Sequence, residues 1–319
     1  MSTDKNKHLE CVLSSHKAQK EQRLLEKYNE KKAEIEKALK EEYGNRLYQT
    51  FLSGSFAKRT SINLKFDYDL MAPFKRNAFD TLEKMYDHVY NFLVKKYDTQ
   101  ATVRKQKVSI GLDFHSDQDG DVVKIDVVPG RELDQDQYLQ DDTLNLYIYT
   151  QFGSFTAGSE RLKSNVKAQI KNIREQADKD YIRQNIRLLK VWKLRNQKTP
   201  KSFFLELIVI RAFNDKQISG SRWDKLKSVM EYIRDNAQRV ALPDPGNLSN
   251  NVADTLTTSE KVALSYDMKY MIERIEENSD LIKIYFPVNE KHPCEPADKS
   301  AGFSIKKTDV SVPPTLRFG

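Results

Sequence analysis

Residues 5–43 contain neither proline nor glycine and are rich in Leu, Lys, Glu and Ala, with Leu24, Tyr28, Ile35 and Leu39 near one face at helical spacing. One long bracing helix is expected there, ended by Gly44. The pattern then shortens. Apolar runs at 46–53 and 63–72 read as strands on either side of a small polar turn, Gly54-Ser55. Residues 77–97 return to helical spacing, with Phe79, Leu82, Met85, Val89, Phe92 and Leu93 on one face. A strand near 101–114 and another at 121–128 follow, joined by His115-Ser-Asp-Gln-Asp-Gly.

Beyond Phe155 few strands are evident, and helices are expected over 159–178, 180–196, 202–213, 221–239 and 257–278. The pattern predicts four regions: a brace helix over 1–45, a mixed α/β lobe over 46–155, a helical lobe over 156–286, and a proline-rich flexible tail over 287–319. The fold class is α+β, two lobes with a cleft between them.

Candidate chemistry lies in the first lobe. Asp67 and Asp69 stand at i and i+2 of an expected strand, which aims both side chains to one face. Asp126 sits inside a second strand, between Ile125 and Val127. Aspartate is depleted in strand interiors and costly there without a partner. Three converging carboxylates suit two hard divalent cations, Mg²⁺ or Mn²⁺, of the kind that hold both oxygens of an in-line displacement. The Gly54-Ser55 turn suits a triphosphate, because glycine lets backbone N–H groups approach phosphate oxygens. The direction of the neighbouring Lys58 and Arg59 stays open. Asp117, Asp119 and Asp121 resemble the start of a calcium loop, but Val128 stands where the twelfth-position glutamate belongs, so a polar hairpin turn is expected instead.

The segments GSFAKRT, DYD and KIDVVP resemble the DNA polymerase β-type nucleotidyltransferases. LLKVWK around Lys190, the helix starting at Ser202, and LPDPGNLSNNVA over 242–253 narrow the resemblance to the oligoadenylate synthase and cyclic GMP-AMP synthase branch, and to its bacterial relatives, the CD-NTases. The likeness spans about residues 46–255, with Leu248 departing from a position where proline often stands. It implies a polymerase β-like lobe with a mixed sheet, in which Asp67, Asp69 and Asp126 are catalytic and metal-binding. It also implies that Gly54, Ser55, Lys190, Ser202 and Asn251 bind nucleotide. By its own pattern Lys190 lies on an ordinary amphipathic helix, and Ser202 reads equally as a helix cap or a pocket residue. Glu206, inside an apolar helix, reads as a structural hydrogen-bonding group. The activity implied is the joining of two or three nucleoside triphosphates into a cyclic oligonucleotide in anti-phage defence. Some relatives are conjugated through their C-terminal residue by a ubiquitin-activation-like partner, which makes Gly319 a candidate.

Composition adjusts this picture only slightly. The formal net charge of +7 favours anionic partners but comes from mixed rather than blocked charges, so no obligatory nucleic acid is expected. Neither a membrane span nor a signal peptide is visible, and Cys11 and Cys294 suggest neither a metal site nor a disulfide, so a reducing cytoplasm is expected. The rival readings are a template-independent RNA nucleotidyltransferase of the CCA-adding kind, an idle antitoxin-like module, and a transferase placing AMP on a protein.

Overall fold

The computed structural model describes residues 2–64, 67–150 and 161–294. The expected single helix is two: α1 (Lys5–Ser15) and α2 (Gln22–Tyr43). Local propensity supports helix throughout, and tertiary contacts break it at His16. That ring is buried, with Nε2 2.9 Å from the carbonyl of Pro287 and Nδ1 3.3 Å from Asn63 Oδ1. Leu9, Val12 and Leu13 of α1 join the core of the helical lobe, while Tyr28, Ile35 and Leu39 of α2 pack under the sheet. The N-terminal segment is therefore shared between lobes.

The first lobe contains β1 (Phe51–Leu52), the single turn α3 (Gly54–Ala57), β2 (Tyr68–Phe74), α4 (Leu82–Tyr97), β3 (Ala101–Lys105), β4 (Ile110–Phe114) and β5 (Lys124–Arg131). It continues through α5 (Tyr138–Asp141), β6 (Leu144–Tyr147) and β7 (Arg161–Ser164). The strands form one mixed sheet in the order β1-β2-β5-β4-β3, with β6 pairing β5 and β7; β2 and β5 run parallel. Strand 101–114 proves to be a hairpin, and the helix expected over 159–178 opens as β7. The polarity change at Asn165 accounts for the second difference: its side chain accepts the Ala168 N–H at 2.8 Å and starts a new helix. One sheet face is sealed by α2 and α4 over Leu70, Leu112, Ile125 and Val127, all fully buried.

The second lobe is built from α6 (Val166–Arg174), α7 (Lys179–Arg195), α8 (Ser202–Asp215) and α9 (Arg222–Asn236). The turn expected at 242–253 is a short hairpin of β8 (Pro243–Asp244) and β9 (Asn247–Asn251), followed by α10 (Thr258–Glu277) and α11 (Ile282–Tyr285). Among the described residues, no helix is long and apolar enough to cross a membrane.

The expected tail is ordered at its start. Asn289 is buried, its N–H donating to Ser15 Oγ at 3.1 Å and its Nδ2 to Asn63 Oδ1 at 3.0 Å. Cys294 then pairs with Cys11 in a disulfide, which corrects the reading of two unrelated cysteines. Their 283-residue separation hides a proximity that only the course of the strap from Pro287 creates. Gly319 lies outside the described residues.

Across the seam between lobes, Lys58 Nζ meets Glu206 at 2.7 Å, with both side chains almost wholly buried. The direction of Lys58, open in the sequence, is thus inward over the Phe203 ring, and the role of Glu206 is an ion pair. Removing one partner strands the other charge. Glu206→Gln should cost about 3–5 kcal/mol in urea unfolding, whereas the paired change Lys58→Met with Glu206→Leu should cost much less. Equal losses in the two proteins would contradict the pairing as the source.

Candidate active site

Asp69 of β2 stands directly opposite Asp126 of β5 in the parallel register. Side chains alternate along strands, and the neighbours Tyr68, Leu70, Ile125 and Val127 point into the core. Both acids therefore occupy the face that α2 and α4 leave open. Asp67 precedes the strand and, with Asp69, lines a cleft of about 250 Å³. Ser55, Ser61 and Ile62 supply one wall; Lys190, Lys193, Leu194 and Ser202 supply the other from α7 and α8.

Gly54 is required twice over. Its φ is +62°, the left-handed region, and a Cβ there would lie 1.8 Å from Asp69 Oδ2. Ser53 ties the turn to the strand by donating its N–H to the Asp69 carbonyl at 2.7 Å and its hydroxyl to the same oxygen at 3.1 Å. The turn and the carboxylate are thus positioned as one piece.

The acids are poorly compensated. Burial, then the charges of Asp126 and Asp67, push the Asp69 carboxyl up to about 7, against weaker opposition from Lys58 and Lys190. Asp126 is also pushed up, by burial and then by Asp67. A hard, oxygen-preferring divalent cation would supply the missing charge, so this donor set fits one. Asp117, Asp119 and Asp121 behave oppositely. Their oxygens lie closer together, within 4.8 Å of one another, and theirs is the one such acidic cluster among the described residues. Lys27 Nζ fills the centre, at 2.5, 2.9 and 2.6 Å from them. The ammonium holds Asp117 and Asp119 below the usual carboxylate range. A cation there would have to displace Lys27, so the cluster reads as a brace between α2 and the β4–β5 turn.

Lys190 is buried, donating to Thr60 O at 3.0 Å and Thr60 Oγ1 at 2.9 Å. Burial, only partly offset by Glu206, lowers its ammonium to about 8. Without a full counter-charge at its tip, it suits an incoming polyphosphate.

The structure brings Ser55, Asp67, Asp69, Lys190 and Ser202 to one cleft, with Gly54 beneath Asp69 and Asp126 beside it. Ser202 is the first residue of α8 rather than its cap; Lys201 holds the cap position and makes no side-chain cap bond. Asn251 is not among the cleft residues. Its Oδ1 accepts the Leu242 N–H at 2.8 Å and the Ala253 N–H at 3.3 Å, and its Nδ2 donates to Asp254 at 2.9 Å. These bonds secure the β8–β9 hairpin.

Sequence reasoning missed Thr60, Gln106 and Gly111. A glycine inside β4 was the available signal for Gly111, since it marks close approach in a strand. Nothing in the sequence marked the other two.

Residues 15–158 match the family profile of the Second Messenger Oligonucleotide or Dinucleotide Synthetase domain. No curated protein matches the chain in sequence. Among solved structures, Escherichia coli MS115-1 CdnC, in complex with HORMA-deltaN, aligns at TM-score 0.62 and 21% identity over 82% of this chain and 89% of that one. A CdnE c-di-GMP synthase from Capnocytophaga granulosa aligns at 0.61 and 14%, over 86% and 88%. Elizabethkingia meningoseptica CdnE, a cyclic dinucleotide synthase solved with GTP and Apcpp, aligns at 0.58 and 19%, over 75% and 89%. At these identities the structural likeness is one of fold. The domain match covers the lobe that carries the three acids, so this chain is similar there to second messenger nucleotide synthetases and, over most of its length, shares the fold of the bacterial CD-NTases.

Proposed function

We propose that this chain joins nucleoside triphosphates into a cyclic di- or trinucleotide second messenger, releasing pyrophosphate, in anti-phage defence signalling. The observation that carries the reading is Asp69 in register with Asp126 above the Gly54 turn, facing Lys190 across one cleft. Two Mg²⁺ or Mn²⁺ ions held by Asp67, Asp69 and Asp126 would activate the attacking ribose hydroxyl and neutralise charge on the donor. Asp126 would face the acceptor hydroxyl and offer an oxygen for its proton. Gly54, Ser55 and Ser202 would orient the donor triphosphate, with Lys190 as its point charge. A conjugating partner acting at Gly319 rests on the family resemblance alone.

Incubation with four labelled ribonucleoside triphosphates and Mg²⁺ or Mn²⁺, followed by phosphatase and mass spectrometry, should yield a phosphatase-resistant product. The Asp67→Asn/Asp69→Asn protein should yield none. A linear, phosphatase-sensitive product would move the assignment to template-independent RNA extension.

Asp69 also sets a pH dependence for the metal-free protein. Its folded-state carboxyl titrates near 7, above the unfolded value of 3.8, so its charge destabilises the fold as pH rises from about 4 to 7 and fully above that. Asp69→Asn should therefore match wild type near pH 4 and exceed it at pH 8, by up to about 4 kcal/mol at roughly 1.4 kcal/mol per unit. Thermal unfolding in chelator checks this; a pH-independent difference would contradict it.

Lys190→Met should raise KM for the donor roughly 10–100-fold, the worth of a lost charged hydrogen bond. It should also remove the rise in KM expected as wild type passes above about pH 8. An unchanged pH profile would separate Lys190 from the triphosphate.

A further inference from the structure

Asp126 is held by an arrangement that the catalytic acids alone do not explain. Gln106, in the turn between β3 and β4, donates Nε2 to Asp126 Oδ1 at 3.0 Å. Its Oε1 accepts the Ser109 hydroxyl at 2.9 Å. Only the amide nitrogen can donate to a carboxylate, so this pair of bonds fixes which way the amide faces. The turn itself is clamped. Tyr86, fully buried, places its hydroxyl 2.7 Å from the carbonyls of both Gln106 and Ser109 and accepts the Gln106 N–H at 3.0 Å.

Gly111 makes room for this contact. It is the antiparallel partner of Asp126, and a Cβ there would lie 2.5 Å from Gln106 Nε2 and 3.2 Å from Asp126 Oδ1. Arg104, whose charge is felt at Asp126, makes its hydrogen bonds instead to the two oxygens of Asp113, each at 3.2 Å. Asp126 thus receives a neutral donor on one oxygen, and no described residue bonds Oδ2. A neutral amide orients a carboxylate without cancelling the charge that a metal-binding acid needs.

We infer that Gln106 is a positioning residue for nucleotidyl transfer, holding Oδ1 of Asp126 so that Oδ2 is the oxygen presented to the cleft. This rests on the reading of the cleft given above, and adds to it a residue that touches neither nucleotide nor reacting atoms. Gln106→Met keeps the length and loses the donor; Gln106→Glu keeps the shape and sets an acceptor against the carboxylate.

The test measures kcat, KM and, without turnover, the Mn²⁺ concentration giving half of the metal-induced rise in Tm. For Gln106→Met, kcat should fall roughly 10–100-fold and the Mn²⁺ midpoint rise about tenfold, with donor KM within about twofold of wild type. Gln106→Glu should lose more on both counts. Wild-type kcat and Mn²⁺ midpoint in both variants would overturn the inference. So would a fall in kcat with an unmoved midpoint, which marks a general structural effect, or failure of both variants to fold. A wild-type protein that makes no product yet gives a Mn²⁺ midpoint that Gln106→Met shifts would fault the assigned reaction and not the role of Gln106.

Discussion

The parallel pairing of β2 with β5 is the constraint on which the rest depends. It sets Asp69 beside Asp126 at the spacing of adjacent strands, ~4.8 Å, on the face opposite the one that α2 and α4 seal. Two like charges this close, in a half-buried setting, raise each other's cost of ionisation. The opposite face meets that cost: Tyr68, Leu70, Ile125 and Val127 alternate with the acids along the same strands and are fully buried. Each such side chain contributes about 1.5–3 kcal/mol. Two short runs of sequence therefore encode both the core and the charged site.

The helical lobe completes the cleft by bringing basic groups to it under control. Lys58 is neutralised by Glu206, whereas Lys190 is held by the oxygens of Thr60 and keeps a lowered proton affinity. Arg183 adds a further tie across the seam, donating Nε to the carbonyl of Lys58 at 3.2 Å. The segment Lys58–Thr60 is thus grasped from α7 and α8, so the placement of this wall of the cleft depends on how the lobes pack.

The two acidic groups show why proximity alone is a poor guide to a metal centre. Asp117, Asp119 and Asp121 are the tighter group, yet Lys27 and Arg23 already answer their charge. Among the described residues Asp69 and Asp126 have no such ion-pair partner, and their carboxyls are driven up rather than down. Unmet charge is the better signal.

Much of the site was legible because it is local. Gly54-Ser55, the spacing of Asp67 and Asp69, and an aspartate between Ile125 and Val127 state their chemistry within a few residues. The helices α7, α8, α9 and α10 were legible for the same reason, since apolar periodicity and capping act over one or two turns. Residues 5–43 are the instructive failure. Every local preference there favours one helix, and the break at His16 comes from Asn63 and Pro287, far away in the chain. The partner of Lys58, the Cys11–Cys294 link, the capture of Asn251 by its own hairpin and the bond from Gln106 to Asp126 are of that second kind. The sequence by itself determined which residues could do the chemistry, because spacing and polarity pattern are read along the chain. Only the tertiary structure decided which charges stay unpaired and which side chains are consumed as struts, because partners across strands and lobes are chosen by packing.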